Sequence, residues 1–499
     1  MVRPIVPGNP RVSLSPALDL RPILYVLGWL LTVLGLAMLV PMLVDLLLDH
    51  PDWTSFMAGG VITSFIGVSL VLTMGGRSIV LRRQQTFLLT TSAWISTGIF
   101  GCLPFMLSEF EMSFPDAFFE TISGLTTTGS TVMSGLDTAP PGILLWRSIL
   151  QWLGGIGIIG MSLVIFPFLR IGGMQLFKTE SSDTTEKILP SVGRLGAAIS
   201  LVYLALSVIC ALAYWAAGMS AFDSLLHAMT TLSTGGYSNH DNSFAFFDEP
   251  AIHWVGIIFM TIGSLPFVLF ISAVLGQPMK LFGDRQVTRF LGFLALCCLA
   301  VTISLMITEA DIGFGEALTL ASFNVVSIVS TTGFASADYS LWGGFVIVFV
   351  FLLMVVGGCT GSTTGGIKMF RLDIAVKLYR GYIRTLILPH AVNVPQYNGR
   401  PVTDELGRAV LLYIFLYLAT ATALSLALAV LGMPALEAAS SAFSAVGNIG
   451  PGLGPVVGPV GNFSTIPDTA KWLMSFGMLL GRLEFFTVLI LFSPNFWKA

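Results

Sequence analysis

Leu125-Thr126-Thr127-Thr128-Gly129-Ser130 is a run of hydroxyl side chains closed by a glycine. It has three counterparts: Leu232-Ser233-Thr234-Gly235-Gly236, Ser330-Thr331-Thr332-Gly333-Phe334 and Gly447-Asn448-Ile449-Gly450-Pro451. The glycines Gly129, Gly235, Gly333 and Gly450 recur roughly one hundred residues apart, each between two apolar segments. A dehydrated monovalent cation needs oxygen dipoles in place of its hydration shell, and rings of backbone carbonyls supply them without fixed charge. Pointing successive carbonyls to one side usually requires glycine where φ leaves the common regions. A single window of this kind reads as an ordinary turn. Four windows in the same register read together as the walls of a cation site, built from Thr127, Thr128, Gly129, Ser233, Thr234, Gly235, Thr331, Thr332, Gly333, Asn448, Ile449 and Gly450. The hydroxyls, including that of Thr126, line or brace the loops. Short helices ending at the windows would aim partial negative charge at the ion.

The elements that position such windows follow from composition. The 499 residues are 55% hydrophobic and 10% charged, with mean hydropathy +0.85, against about 25% charged in soluble domains. Apolar runs near the length needed to cross a bilayer fall at 22–48, 55–75, 86–108, 142–168, 197–217, 253–276, 288–308, 341–356, 408–431 and 470–492. These ten runs imply a polytopic membrane protein, and the first is too long for a cleaved leader. With both termini cytoplasmic, all of the 24 Lys and Arg residues except Arg147, Lys471 and Arg482 fall inside, a strong positive-inside bias. Acidic residues, among them Asp137, Asp223 and Asp241, collect outside, where they concentrate cations. The five cysteines have no pairing or metal-ligand spacing.

The first two spans form a hairpin without a window, an accessory unit at 1–85. From there a unit repeats four times: outgoing span, short segment, window, returning span. Pore repeats are expected at 86–196, 197–286, 287–407 and 408–499. The short segment of the first repeat, Phe114 to Ser123, opens on Pro115 and Asp116, as a helix amino terminus prefers. Such segments are too short to cross, so they enter and return from the outer face, tolerable only where they line a cavity or are buried in protein. The expected fold class is all-α: four helix, half-helix, helix units around one pore, plus the hairpin.

Two features lie below the windows. The span from Leu341 is apolar only to Val356 and is followed by Gly357, Gly358, Cys359, Thr360, Gly361, Ser362, Thr363, Thr364, Gly365 and Gly366. This run reads either as an intramembrane loop able to block the path or as a cytoplasmic linker after a short tilted helix. Arg482 sits mid-span at a cost of about 2.5–3.5 kcal/mol on insertion scales; it reads either as an ion pair with Glu484 or a carbonyl, or as an electrostatic barrier. Arg147 is expected near the outer end of its helix and is given no role. Gln151, Trp152 and His227 read as packing or interface residues rather than ligands, and Gly154, Gly155, Gly157 and Gly160 as a close helix contact.

The windows, the glycine run and the carboxyl-terminal helix resemble the Trk/Ktr/HKT superfamily of potassium transporters, TrkH type, over nearly the whole chain. The hairpin favours that type. The resemblance implies filter glycines at Gly129, Gly235, Gly333 and Gly450, potassium preference, a gate at 357–366, and Arg482 as a barrier beneath the filter. It also implies a homodimer seated on cytosolic TrkA-like nucleotide-binding regulatory subunits in the inner membrane. The transported ligand is potassium, with sodium, rubidium or protons as further candidates, and no organic cofactor is expected.

A proton- or sodium-coupled cation symporter with weaker potassium selectivity stays open. A secondary transporter for an organic solute would show a two-fold inverted repeat and a midplane site, against the four outer windows here. An intramembrane enzyme would want clustered His, Asp or Glu within the spans, and these are scattered.

Overall fold

The computed structural model describes residues 18–75, 81–164, 192–309, 311–390, 394–398 and 400–498. Arg3, Arg11, Arg77 and most of the basic segment from Lys178 to Arg194 lie outside the described residues.

Among the described residues, seven helices are long and apolar enough to cross a bilayer: Arg21–Leu47, Trp53–Met74, Gln84–Leu107, Pro141–Met161, Gly193–Ala216, Arg285–Thr308 and Asp404–Val430. Two further crossings are broken. Pro250–Gly263 turns by 97° into Phe267–Val274, and Asp468–Arg482 turns by 107° into Phe486–Phe492. The remaining expected span, 341–356, holds a helix of only 10 residues, Gly344–Leu353, about 15 Å of rise. Strand is confined, among the described residues, to two-residue ladders: Val356–Gly357 beside Ile367–Lys368 and Gln396–Tyr397 beside Arg400–Pro401.

The hairpin closes on glycine. Side chains at Gly28 and Gly67, or at Gly35 and Gly60, would run into the facing helix, the close approach that small residues permit in membranes. The hairpin docks on the first repeat through Asp45, fully buried, which accepts a 2.6 Å hydrogen bond from the Gly142 N–H at the start of Pro141–Val164.

Four half-helices descend between the spans: Phe114–Leu125, Ala221–Leu232, Phe314–Val329 and Ala435–Gly447. The first two have 12 residues each, about 18 Å against a core of about 30 Å. Each of these opens on a serine, Ser113 or Ser220, whose hydroxyl accepts from the N–H of Asp116 or Asp223, satisfying an orphan donor of the first turn. All four end against the windows, with their carboxyl ends and partial negative charge turned toward them.

Candidate cation pathway

Backbone geometry sets the window register. Gly129, Gly236, Gly333 and Gly450 have left-handed φ of 87°, 81°, 87° and 116°. Two residues before each, Thr127, Thr234, Thr331 and Asn448 have φ of 50°, 52°, 54° and 55°. Between them, the N–H groups of Thr128, Gly235, Thr332 and Ile449 donate to Ser123 O, Thr230 O, Ser327 O and Ser444 O at 2.8, 2.9, 2.8 and 3.0 Å. Pairing Gly235 with Gly129 is therefore off by one residue: Gly235 occupies the place of Thr128, and Gly236 the place of Gly129. Two adjacent glycines look alike in sequence, and only the φ pattern separates them.

The windows meet in a closed circuit. A methyl group at Gly129 would overlap the carbonyl oxygen of Gly235, one at Gly236 that of Thr332, and one at Gly333 that of Ile449. One at Gly450 would lie 2.9 Å from Thr128 O. Each left-handed glycine thus abuts the carbonyl of the next repeat, and the fourth returns to the first. Thr127, Thr128, Ser233, Thr234, Thr331, Thr332, Asn448 and Ile449 are all buried. Ser233 precedes the left-handed Thr234 and donates to Thr230 O; its counterparts Thr126 and Ser330 hydrogen-bond Thr128 and Thr332 through their hydroxyls. Asn448 Nδ2 donates to Thr128 Oγ1 at 3.0 Å, joining windows four and one.

Outside the ring is a cavity of about 240 Å³ touching Gly129, Gly236, Gly333 and Pro451. On its rim His240 Nδ1 lies 2.6 Å from Asp137 Oδ1, and Nε2 lies 3.6 Å from Asp223 Oδ1. Burial acts to lower the His240 pKa, but its hydrogen bonds to Asp223 and Asp137 outweigh this and raise it above the usual histidine value.

Arg147 lies near the outer end of Pro141–Val164 as expected, but it is buried there and has partners. It is 1% exposed, pairs with Glu120 at 2.9 Å, and lies over the Tyr237 ring at 4.2 Å. Gln151 and His227 also do more than pack. Gln151 Nε2 donates to Gly235 O at 2.6 Å while its Oε1 accepts from Tyr237 N. A signal for Arg147 was present in the sequence: one repeat carries two opposite charges in apolar surroundings, and membrane charges seek each other. Gly154 and Gly155 do sit in tight contacts, against Leu125 and against Tyr203 and Ser233, whereas among the described residues nothing lies within 4 Å of a side chain built at Gly157 or Gly160.

Residues 357–366 are buried throughout and sit under the windows. Gly357 is bridged to Lys368, and Gly358 O accepts from Met369 N, so the run leaves and rejoins at one place. Cys359 N donates to Ser264 O at 2.9 Å, and Phe267 N donates to Gly361 O at 3.0 Å. These bonds satisfy the backbone freed where the Pro250–Val274 crossing breaks, the condition for irregular backbone at membrane depth. Thr360 is buried beside them, and Ser362 Oγ shares a 2.7 Å hydrogen bond with Thr364 Oγ1. Thr234 Oγ1 reaches Thr363 Oγ1 at 3.1 Å, Gly365 N donates to Thr331 Oγ1 at 2.8 Å, and Gly366 N donates to Gly447 O at 2.9 Å. Windows two and three and the base of window four thus all touch this run. The run is buried against the windows rather than free.

Arg482, 4% exposed, completes the set by donating to Thr127 Oγ1 at 2.5 Å and to Thr363 O at 2.8 Å. It does not pair with Glu484. That carboxylate is taken by Arg371, whose guanidinium lies 3.7 Å from the centre of the Tyr413 ring. Among the described residues no carboxylate pairs with Arg482, so its charge is balanced only by dipoles.

The family model for TrkH, a cation transport protein, matches residues 53–499. The chain belongs to the TrkH family. The match takes in the second helix of the hairpin and all four repeats. Similar TrkH-family proteins include the Trk system potassium uptake protein TrkI of Halomonas elongata, 44% identical over 96% of this chain and 97% of that protein. The Trk system potassium uptake protein TrkH of Escherichia coli K12 is 34% identical over 96% of this chain and 99% of that protein. The crystal structure of the potassium transporter TrkH from Vibrio parahaemolyticus superposes with TM-score 0.89 at 33% identity, covering 96% of this chain and all of that one. TrkH-family membership and this superposition agree with the all-α, four-repeat membrane fold with an accessory hairpin.

Proposed function

We propose that the chain takes up potassium across the inner membrane, with both termini cytoplasmic, through a pore whose selectivity filter is the window ring. The observation that carries this reading is the closed circuit of left-handed glycines and carbonyls from four repeats. It offers oxygen dipoles from all sides with no fixed charge, as a dehydrated monovalent cation requires. Potassium is the ion that the relatives are named for. Residues 357–366 act as the gate, because they touch three windows from below, and Arg482 adds an electrostatic barrier at the same level. The units are the hairpin at 1–85 and pore repeats at 86–196, 197–286, 287–407 and 408–499. The working assembly is a homodimer on a TrkA-like nucleotide-binding ring, for which the long helix Met369–Ile387, with its exposed Tyr379, Tyr382 and Leu386, offers a surface.

The test is purified protein in liposomes, with potassium, rubidium and sodium flux measured at set voltage and pH gradients. Potassium and rubidium should pass and sodium lag. Equal sodium flux overturns the selective filter, and potassium movement against its own gradient driven by protons overturns a pure channel.

A further inference from the structure

Counted back from Gly129, Gly236, Gly333 and Gly450, the ninth residue is Glu120, His227, Asn324 and Ser441. In three repeats this side chain crosses from the half-helix to the segment leaving the window. Glu120 Oε2 accepts from Val132 N at 2.9 Å, and its Oε1 from Thr131 Oγ1 at 3.0 Å. His227 Nε2 shares a 3.0 Å hydrogen bond with Ser238 Oγ. Asn324 Nδ2 donates to Ser336 Oγ at 2.9 Å while Oδ1 accepts from Ser336 N at 3.2 Å. In the fourth repeat the Ser441 hydroxyl has no partner among the described residues. Its neighbour Ser440 does the same task, accepting from Leu453 N at 2.8 Å. Val132, Ser336 and Leu453 each stand three residues beyond the window glycine. Every window is therefore strutted from behind, with a carboxylate, an imidazole, an amide and a hydroxyl in turn.

The first strut is the one that carries an ion pair. Arg147 Nε donates to Glu120 Oε1 at 2.9 Å, Nη1 to Ser238 O at 2.8 Å, and Nη2 to Thr131 Oγ1 at 3.1 Å. Tyr237, under the guanidinium, donates from its hydroxyl to Glu120 O at 2.7 Å. One arginine thus holds the segments leaving windows one and two. It also lines the outer cavity together with the window glycines. A planar fork of five donors can make three such bonds in fixed geometry, which a lysine cannot.

We infer that Glu120 and Arg147 are positioning residues that set ion specificity. They fix the spacing of windows one and two and keep the wall of the outer cavity electrically balanced. The inference rests on the reading of the windows as a filter. Removing one partner of a buried pair leaves an uncompensated charge, whereas removing both is often mild.

The test compares four variants in liposomes, with potassium, rubidium and sodium flux measured separately. Arg147→Gln leaves a carboxylate behind the ring and should lower the potassium-to-sodium ratio about tenfold while flux persists. Glu120→Gln leaves a guanidinium and should lower all cation flux about tenfold. The double variant should recover flux to within about threefold of the native rate but keep a reduced ratio. Arg147→Lys retains charge without the fork, so near-native flux with a lowered ratio is expected; it also serves if Arg147→Gln fails to fold. A native ratio in both arginine variants, or an equal fall for all three ions in them, overturns the inference. Absence of selectivity in the unaltered protein would instead overturn the filter reading on which it rests.

Discussion

The window ring and the loop beneath it are both glycine-rich and buried, yet they are held in opposite ways. Each window is fixed first within its own repeat, by N–H bonds to its half-helix and by a strut to the segment beyond it, a scheme repeated four times, with Arg147, Gln151 and Asn448 adding ties between repeats. Residues 357–366 occur once and borrow their partners from elsewhere: Ser264, Phe267, Thr331, Gly447 and Arg482. A structure anchored to its own scaffold keeps its geometry when neighbours move. One that depends on several distant partners can leave as a unit once a few hydrogen bonds, each worth about 0.5–1.5 kcal/mol net, are exchanged. The contrast fits a permanent filter over a removable gate.

The largest expected effect comes from breaking the ring. In Gly236→Ala the new methyl meets the Thr332 carbonyl at a left-handed φ. Left-handed backbone costs about 1–2 kcal/mol for a non-glycine residue, and overpacking adds about 1–3 kcal/mol. Selective potassium flux in liposomes should fall about a hundredfold. Gly235→Ala needs no left-handed φ, and the nearest atoms it meets are at the end of the Gln151 side chain, so its loss should be about tenfold or less. The reverse order of these two variants would return the register to Gly235.

Removing Thr360 to Thr363 takes out the middle of the loop together with its bonds to Phe267, Thr234 and Arg482. Flux should rise about threefold to tenfold with the potassium-to-sodium ratio unchanged, since local opening is drawn from the low-stability end of a structure. A folded deletion with native flux would break the contrast. Arg482→Ala should have a smaller effect, about a twofold to threefold rise, because it removes bonds to Thr127 and Thr363 but leaves the loop in place. No change in rate or in sodium discrimination would count against the barrier.

The smallest effect concerns the outer rim. His240 is braced by Asp137 and Asp223, faces His227 with ring centres 6.3 Å apart, and stacks on Phe246. Its folded pKa is raised from 6.5, so the stabilisation is fully present below that value and is lost as pH climbs through the higher folded one. With Asp137 46% exposed, the effect should be below about 1 kcal/mol. The Tm gap between the native protein and His240→Gln should be widest below pH 6.5 and close above the folded value. A gap that is constant with pH would remove His240 from the pH response.

Much of this was legible in the chain. Apolar runs and positive-inside charge gave the spans, because a bilayer imposes length and backbone satisfaction on any segment within it. The short Leu341–Val356 run correctly marked a crossing that stops early. The four windows announced themselves by repetition. What stayed hidden depended on partners distant in sequence: the breaks at Ser264 and Glu484, the burial of Arg147 against Glu120, and the choice of Arg371 over Arg482 as the partner of Glu484.

The sequence by itself determined a four-repeat membrane protein with glycine at the points where the backbone must turn, since hydropathy and residue type are local properties. Tertiary structure alone decided that Gly236, not Gly235, is the counterpart of Gly129 and that the loop meets the windows directly. Dihedral angle, register and the pairing of buried charges are properties of contacts between segments, and a one-residue slip between two glycines costs the sequence pattern nothing.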